Sequence, residues 1–343
     1  MGQALGVLRR HRRPHLPPPL LCLPVEVILQ ICDHLHANST ASTAALAVTC
    51  KTLFSVVLLA NKSNKSNNNN DNNNELLLLP QLRGRDLTTF LCYLEKDLSD
   101  NFYFCSDCQR LHRFCLCWRP CGRDMYIGCR LTQRRFFGNK YQLGWHHVRL
   151  VTNRYRLDSN KGLPLRNLQR RATSFGVERW RVWQHAWSAK IIHKELFLSA
   201  CHTLDGRDED ELLRAVGHER PRVCSHIRMS GMAARRPAFS LTAAREVTGS
   251  CEKCPTDYAT MIEWLDIPTR RPWYGIRRGC SAGERNCDSR RWKIIITTYH
   301  QVGDGESMAD SRWLALTGAL PKRRCENAVN YPSGSIMKRW RNA

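Results

Sequence analysis

The residues in this sequence best equipped for chemistry are its cysteines and histidines. Cys105-Ser106-Asp107-Cys108 and Cys251-Glu252-Lys253-Cys254 are C-x2-C pairs, and Cys224-Ser225-His226 is a C-x-H pair. A C-x2-C turn lets both sulfurs converge on one cation at about 2.3 Å, and tetrahedral zinc takes four such donors. Cys224, His226, Cys251 and Cys254 therefore make a complete Cys3His set. Cys105 and Cys108 need two further ligands. His112, Cys115, Cys117 and Cys121 are near in sequence, and the pair can instead join Cys251 and Cys254 in space. The competing reading is reduced thiols packed as small apolar side chains. Recurrence of the paired spacing in one chain favours at least one structural zinc. Cys22, Cys32, Cys50, Cys92 and Cys201 lie within or beside helical or strand patterns and are expected in the core.

Catalytic patterns are weaker. His193-Lys194-Glu195 is an H-x-E, and a zinc nucleobase deaminase pairs that with P-C-x-x-C. Here Ser250 stands where the proline should be, and His193-Lys194 reads as the tip of a hairpin. Gly279-Cys280-Ser281-Ala282-Gly283 matches G-x-S-x-G, but a nucleophile elbow needs an apolar strand before it and a helix after it. Its flanks, Arg277-Arg278 and Glu284-Arg285-Asn286, are those of a polar loop, and Asp288 and His300 follow too soon to build a sheet. Gly303-Asp304-Gly305 is a turn signal, and no phosphate-binding G-x-x-x-x-G-K-[ST] occurs. The chain is expected to carry no catalytic residue.

Charge raises a different reading. The 343 residues carry a formal net charge of +23, which favours acidic partners and nonspecific nucleic-acid contact. Arginine and tryptophan interleave at Trp180-Arg181-Val182-Trp183 and Arg290-Arg291-Trp292. Stacking plus phosphate pairing is how single strands are gripped. The same tryptophans also suit strand cores. The densest basic runs stand at the two ends, Arg9, Arg10, Arg12 and Arg13, then Lys322, Arg323, Arg324, Lys338, Arg339 and Arg341, and read as solvated tails. An odd count of 17 cysteines with no secretory signal favours thiols and metal ligands over disulfides. No transmembrane span is evident, so a cytoplasmic or nuclear location is expected.

These side chains must be positioned by a mixed set of elements. Residues 86–98 show Leu87, Phe90, Leu91, Leu94 and Leu98 at helical spacing, with Asp86 as cap. Residues 144–157 favour a helix, and Gly162-Leu163-Pro164 marks a turn. Alternation at Trp183, His185, Trp187, Ala189 and Ile191 predicts a strand, followed by a tight turn at His193-Lys194 and a second strand over Glu195–Ala200. Tyr258, Thr260, Ile262 and Trp264 alternate again, and Trp292–Tyr299 is a β-branched run. Asp205–Arg222 is charged and irregular and reads as an exposed loop. The whole predicts an α+β domain with an antiparallel sheet.

The amino-terminal part differs. Leu23, Val27, Ile28, Ile31 and Leu35 fall along one side of a helix, with Pro24 in its first turn and Glu26 at its positive end. The segment 36–40 breaks the pattern, Ser42 is placed to cap a second helix, and Leu53, Phe54, Val57 and Leu58 supply a third. So small a unit buries little surface and suits a piece completed by a partner. Leu23-Pro24-x-Glu26-Val27-Ile28, Ile31 and Leu35, then Ala45-Leu46-Ala47-x-Thr49-Cys50-Lys51-x-Leu53-Phe54, resemble the F-box, departing from it in the polar 36–40 segment. That resemblance implies docking of a Skp-type adaptor through Leu23, Pro24, Val27, Ile28, Ile31, Leu35, Leu53 and Phe54. It also implies, through that adaptor, a cullin–RING ubiquitin ligase. The islands FCSDCQRLHRF, YQLGWHHVRLVTNRYRLDSNKGLPLRNL, ELFLSACHTL, VCSHI, SCEKCPTDY and WKIIITTYHQVG are similar to the carboxy-terminal region of a group of fungal F-box proteins.

The expected organisation is a basic proline-rich tail (1–20), a three-helix F-box (21–60), an asparagine-rich linker (61–75), an α+β substrate-recognition domain (76–320) and a basic tail (321–343). The function implied is a non-catalytic adaptor that brings an unknown protein substrate to a ubiquitin ligase. The alternative is a zinc-stabilised basic nucleic-acid-binding protein.

Overall fold

The computed structural model describes residues 20, 23–49, 51, 53–57, 82–120, 135–157, 161–175, 182–206, 209–229, 246–266, 290–320 and 331–343. The basic run 9–13, the linker 61–75, Trp180, the G-x-S-x-G string and residues 321–330 lie outside them. The chain divides into two units, Met1–Leu94 and Glu95–Ala343.

The first unit is helical. Helix α1 runs over Val25–Asn38 and α2 over Thr40–Thr49, and residues 53–57 are helical again. Pro24 is the N-cap residue of α1, and its carbonyl accepts from the Val27 and Ile28 amides at 3.1 and 3.2 Å. The predicted break at 36–40 narrows to one residue. His36, Ala37 and Asn38 stay helical and only Ser39 is extended. Ser39, not Ser42, caps α2: its Oγ accepts from the Ser42 amide at 3.3 Å. Ile28 and Cys32 of α1 meet Ala47, Leu53, Val56 and Val57 in a small core. The buried alanines Ala41, Ala44 and Ala47 give α2 a slim inner face. Helix α3, Gly84–Leu98, starts two residues before the predicted cap, and Asp86 accepts from Thr40 Oγ1.

The second unit is an α+β fold around a six-stranded antiparallel sheet. Its strands are β5 (Arg170–Phe175), β6 (Val182–Ile192), β7 (Glu195–Gly206), β8 (Val247–Ser250), β9 (Thr256–Asp266) and β10 (Arg290–Gly303). Their spatial order is β5-β6-β7-β10-β9-β8. Two short hairpins precede the sheet in sequence: β1 (Phe102–Cys105) with β2 (Arg110–Arg113), and β3 (Arg135–Gly138) with β4 (Tyr141–Gly144). The four predicted strands are present as β6, β7, β9 and β10. His193 and Lys194 sit at φ 49° and 67°, which makes the β6–β7 turn the two-residue kind whose twist matches the strands.

Register fixes the faces. Trp187 lies opposite Ala200, and Ala200 opposite Thr298; His185 lies opposite His202, and His202 opposite Ile296. This face carries Trp183, Trp187, Leu198, Ile294 and Ile296 into the core. Helix α4, Trp145–Arg156, packs there with every residue from Trp145 to Asn153 buried, in line with the helix expected over 144–157. The expected exposed loop at 205–222 is instead the end of β7 followed by helix α5, Glu209–Glu219. Leu212, Ala215 and Val216 stand three and four residues apart, and they join Trp183, Leu204, Ile294 and Ile296 in one apolar cluster. The charge around them hides that stripe in the sequence.

The opposite face is covered in part by helix α7, Ser335–Asn342, which follows the short helix α6, Ser311–Leu316. The carboxy-terminal segment is therefore not a solvated tail over 331–343. Ile336 is buried against Ile192, Phe197 and Tyr299, with Met337 and Trp340 beside them. The arginines of α7 lie over rings: the Arg339 guanidinium is 4.7 Å from the Phe197 centroid. Cationic side chains can cover apolar surface in this way while their heads stay wet.

A buried ion pair joins the start of this unit to α4. Glu95 accepts from Arg149 Nε at 3.1 Å, from Asn153 Nδ2 at 2.7 Å and from the Phe104 amide at 3.0 Å. Arg149 also donates to the carbonyls of Gly305 and Glu306. Gly305 explains the turn signal at 303–305. Its φ is +74°, and a Cβ there would stand 2.2 Å from Thr152 Oγ1, so the turn is one of close approach, not of phosphate binding.

Candidate metal centre

The four residues of the complete Cys3His set come from two loops. Cys251 and Cys254 lie in the β8–β9 turn, where the Cys251 amide donates to Thr256 O at 2.8 Å and the Thr256 amide to Cys254 O at 2.7 Å. Cys224 and His226 lie at the tip of the loop after α5. There the Val223 amide donates to Ile227 O at 3.1 Å, and Arg222 and Arg228 bridge below. Sequence alone gives the pairs; the strand order brings them together, because α5 packs on β7 and β10 while the β8–β9 turn ends the neighbouring hairpin.

The Sγ atoms of Cys224, Cys251 and Cys254 and a ring nitrogen of His226 all lie within 4.8 Å of one another. The Cys251 Sγ to His226 Nδ1 distance is 3.8 Å. Donors around a tetrahedral zinc stand roughly 3.5–3.8 Å apart, given bonds of about 2.0–2.3 Å, so the set fits a cation with little rearrangement. Backbone amides point at two of the sulfurs, His226 N–H at Cys224 and Lys253 N–H at Cys251, each at 3.4 Å. Such donors steady thiolate charge. Cys224 and Cys254 are buried in the main apolar core, Cys251 is half-buried and His226 is exposed.

The thiols perturb one another. Hydrogen bonds from Cys224 and Cys254 hold Cys251 far below its ordinary value, and the same pairing pushes Cys224 up to about 12. Burial pushes Cys254 up as well. Three sulfurs in one small volume oppose one another's ionisation; a divalent cation allows all three to ionise. Four protein donors leave no free position for substrate, so this set can hold a metal but offers no metal-bound water for hydrolysis.

A second group gathers in the β1–β2 hairpin: Cys105, Cys108 and His112. Cys108 Sγ lies 2.8 Å from His112 Nε2. Burial, and then the Arg110 charge, hold His112 below its ordinary pKa. Among the described residues the Cys105–Cys108 pair does not merge with Cys251 and Cys254; the two groups are separate. Cys115 and Cys117 are exposed, and Cys121 lies outside the described residues. Of the expected core cysteines, Cys32 is buried and Cys92 and Cys201 are half-buried; Cys22 and Cys50 lie outside the described residues.

The other sequence candidates resolve differently. Glu195 is bound by Arg312, Arg339 and Gln301, so its carboxylate serves an ion-pair network with Asp304 and Asp310. It is not placed as a proton shuttle. His300 is buried between Thr256 and Thr298, at 2.9 and 3.0 Å from their hydroxyls. Trp183 is 1% exposed, which removes it as a stacking platform. Trp292 stands edge-to-face with Trp264, their centroids 4.6 Å apart.

In the helical unit the predicted docking residues split. Ile28 at 3% exposure and Leu53 at 4% face the unit's own core and are not free for a partner, because they close α1 and the third helical segment on one another. Phe54, Ile31 and Leu35 are half-buried, and Phe54 packs against that core. Leu23 at 39% and Val27 at 37%, with Pro24, face solvent. Two further apolar residues of this unit are exposed that periodicity did not single out, Val25 and Val48. Both sit beside motif residues, which is the only sequence signal they give.

Comparison with protein-family models finds no match, and comparisons with characterised proteins and with solved structures find none either. Among the described residues, no helix is long and apolar enough to cross a membrane.

Proposed function

We propose that this chain is an F-box-type substrate adaptor. Its helical unit docks a Skp-type adaptor and, through it, a cullin–RING ubiquitin ligase, while the sheet unit binds a protein substrate. The observation that carries the reading is the two-sidedness of the helical unit. Ile28 and Cys32 seal its core, yet Leu23, Val25, Val27 and Val48 remain exposed around the Leu-Pro-x-Glu start. Apolar side chains left in water on so small a unit are accounted for by a partner that covers them. The chain's chemical contribution is proximity: it raises the effective concentration of a substrate lysine near a conjugating enzyme held elsewhere. Zinc on Cys224, His226, Cys251 and Cys254 is structural and ties the loop after α5 to the β8–β9 turn.

Co-purification with a Skp-type adaptor tests this. Val27→Asp, on the exposed side, is expected to abolish capture while leaving the helical circular-dichroism signal and melting temperature of the free protein unchanged. Ile28→Asp is not an adequate test, since it places a carboxylate in the unit's own core. Undiminished capture by Val27→Asp would reject the docking face. The burial of Trp183 weakens the nucleic-acid-binding alternative, and no feature of the described residues favours it over the adaptor.

A further inference from the structure

We propose a second cation site, for zinc or a similar thiolate-seeking divalent metal, held by Cys105, Cys108 and His112 in the β1–β2 hairpin, with the fourth position open to water or another donor. It goes beyond the adaptor reading and does not rest on it. Three lines of structure support it. Cys105 ends β1, Cys108 lies in the turn and His112 is in β2, and their donor atoms all fall within 4.8 Å of one another. The chain turns immediately after Cys108 through Gln109, which sits at φ 48°. A non-glycine residue in that region is uncommon and persists where the surroundings fix the backbone. Finally, His112 is oriented. It lies opposite Tyr103 in the ladder, with ring centroids 5.6 Å apart, and Tyr103 in turn packs against Trp118.

The outer strand of the hairpin is the part a bound cation would steady. Each strand has four residues, and β2 is Arg110-Leu111-His112-Arg113, with both arginines exposed and the middle pair only half-buried. Strand β1 is anchored by the buried Tyr103, Phe104 and Cys105, but no residue of β2 is buried, so β2 is the looser half of the ladder. A cation bridging turn and strand would tie β2 to the anchored β1. Around zinc, sulfur and imidazole nitrogen stand about 3.5 Å apart, so the 2.8 Å Cys108–His112 contact opens by several tenths of an ångström on loading. The donors are soft and neutral-to-anionic, which selects zinc or cobalt over calcium or magnesium.

The test is metal stoichiometry of the full chain. The protein is stripped with chelator, reloaded with cobalt(II), dialysed, and read by elemental analysis and by the sulfur-to-cobalt charge-transfer band. The expected result is two equivalents per chain. Cys105→Ser/Cys108→Ser is expected to retain one, with a three-thiolate band. Cys251→Ser/Cys254→Ser is expected to retain one, with a weaker band from the hairpin. His112→Ala, which leaves both thiols in place, should also fall to one, and circular dichroism of each variant checks folding. One equivalent in the unaltered protein that survives Cys105→Ser/Cys108→Ser would overturn the proposal. So would two equivalents undiminished by that double substitution.

Discussion

At the scale of single residues, the chain concentrates its risks in a few buried polar groups. Glu95 is the clearest. It is almost fully buried, and Arg149, Asn153 and the Phe104 amide all depend on its two oxygens. Glu95→Gln removes the charge while keeping the shape, and leaves the Arg149 guanidinium buried without its counter-ion. A loss of about 3–5 kcal/mol is expected, the usual cost of orphaning one half of a buried pair. Denaturant unfolding measures it, and a change near zero would show that the pair adds nothing. The residue scale also shows what was legible beforehand. Cys251 and Cys254 were readable because their spacing is local, and Cys224 with His226 for the same reason. Glu95 was not, because its partners at 104, 149 and 153 are distant in sequence and its own surroundings look like an exposed helix end.

At the scale of elements, period was a sound guide where one face is apolar and misleading where charge is dense. The strands β6, β7, β9 and β10 alternate openly. Helix α5 hides Leu212, Ala215 and Val216 among acids and arginines, so it resembled a loop. Helix α7 resembled a solvated tail because its anchors are partly cationic. Its start depends on two remote side chains, Ser250, which accepts from the Gly334 amide at 3.1 Å, and above all Asp257. Asp257 accepts from the amides of Ile336 and Met337 at 2.8 and 2.9 Å and from Gly334 at 3.2 Å. It does for α7 what an N-cap residue does from within a helix, and its negative charge suits the helix start. Asp257→Ala should cost about 1–2 kcal/mol and release α7 before the sheet unfolds. Limited proteolysis is expected to cut within 335–342 in the variant and not in the parent; equal resistance would refute the anchoring.

For the whole molecule, the buried histidines of the sheet set a dependence on pH. His185 and His202 meet through their Nδ1 atoms at 2.9 Å, and Ser174 holds the other nitrogen of His185. Burial, then the nearby Lys140, holds His185 at about 4; burial, then His185 and His300, holds His202 at about 3. Unfolded, both return to about 6.5. The unfolded chain therefore binds more protons below that value, and stability present above pH 6.5 is lost as pH falls toward 4. Denaturant midpoints measured from pH 7.5 down to 5 should decline through this window, and a flat profile would contradict the burial of the pair. The order of the strands has its own consequence for a chain being synthesised. Strand β10 lies between β7 and β9, and β7 ends at Gly206 long before β10 begins at Arg290. Until β10 leaves the ribosome, β7 and β9 each present a bare hydrogen-bonding edge of the kind that recruits foreign strands. Those edges stay open to wrong pairing until the last long strand arrives to close the gap.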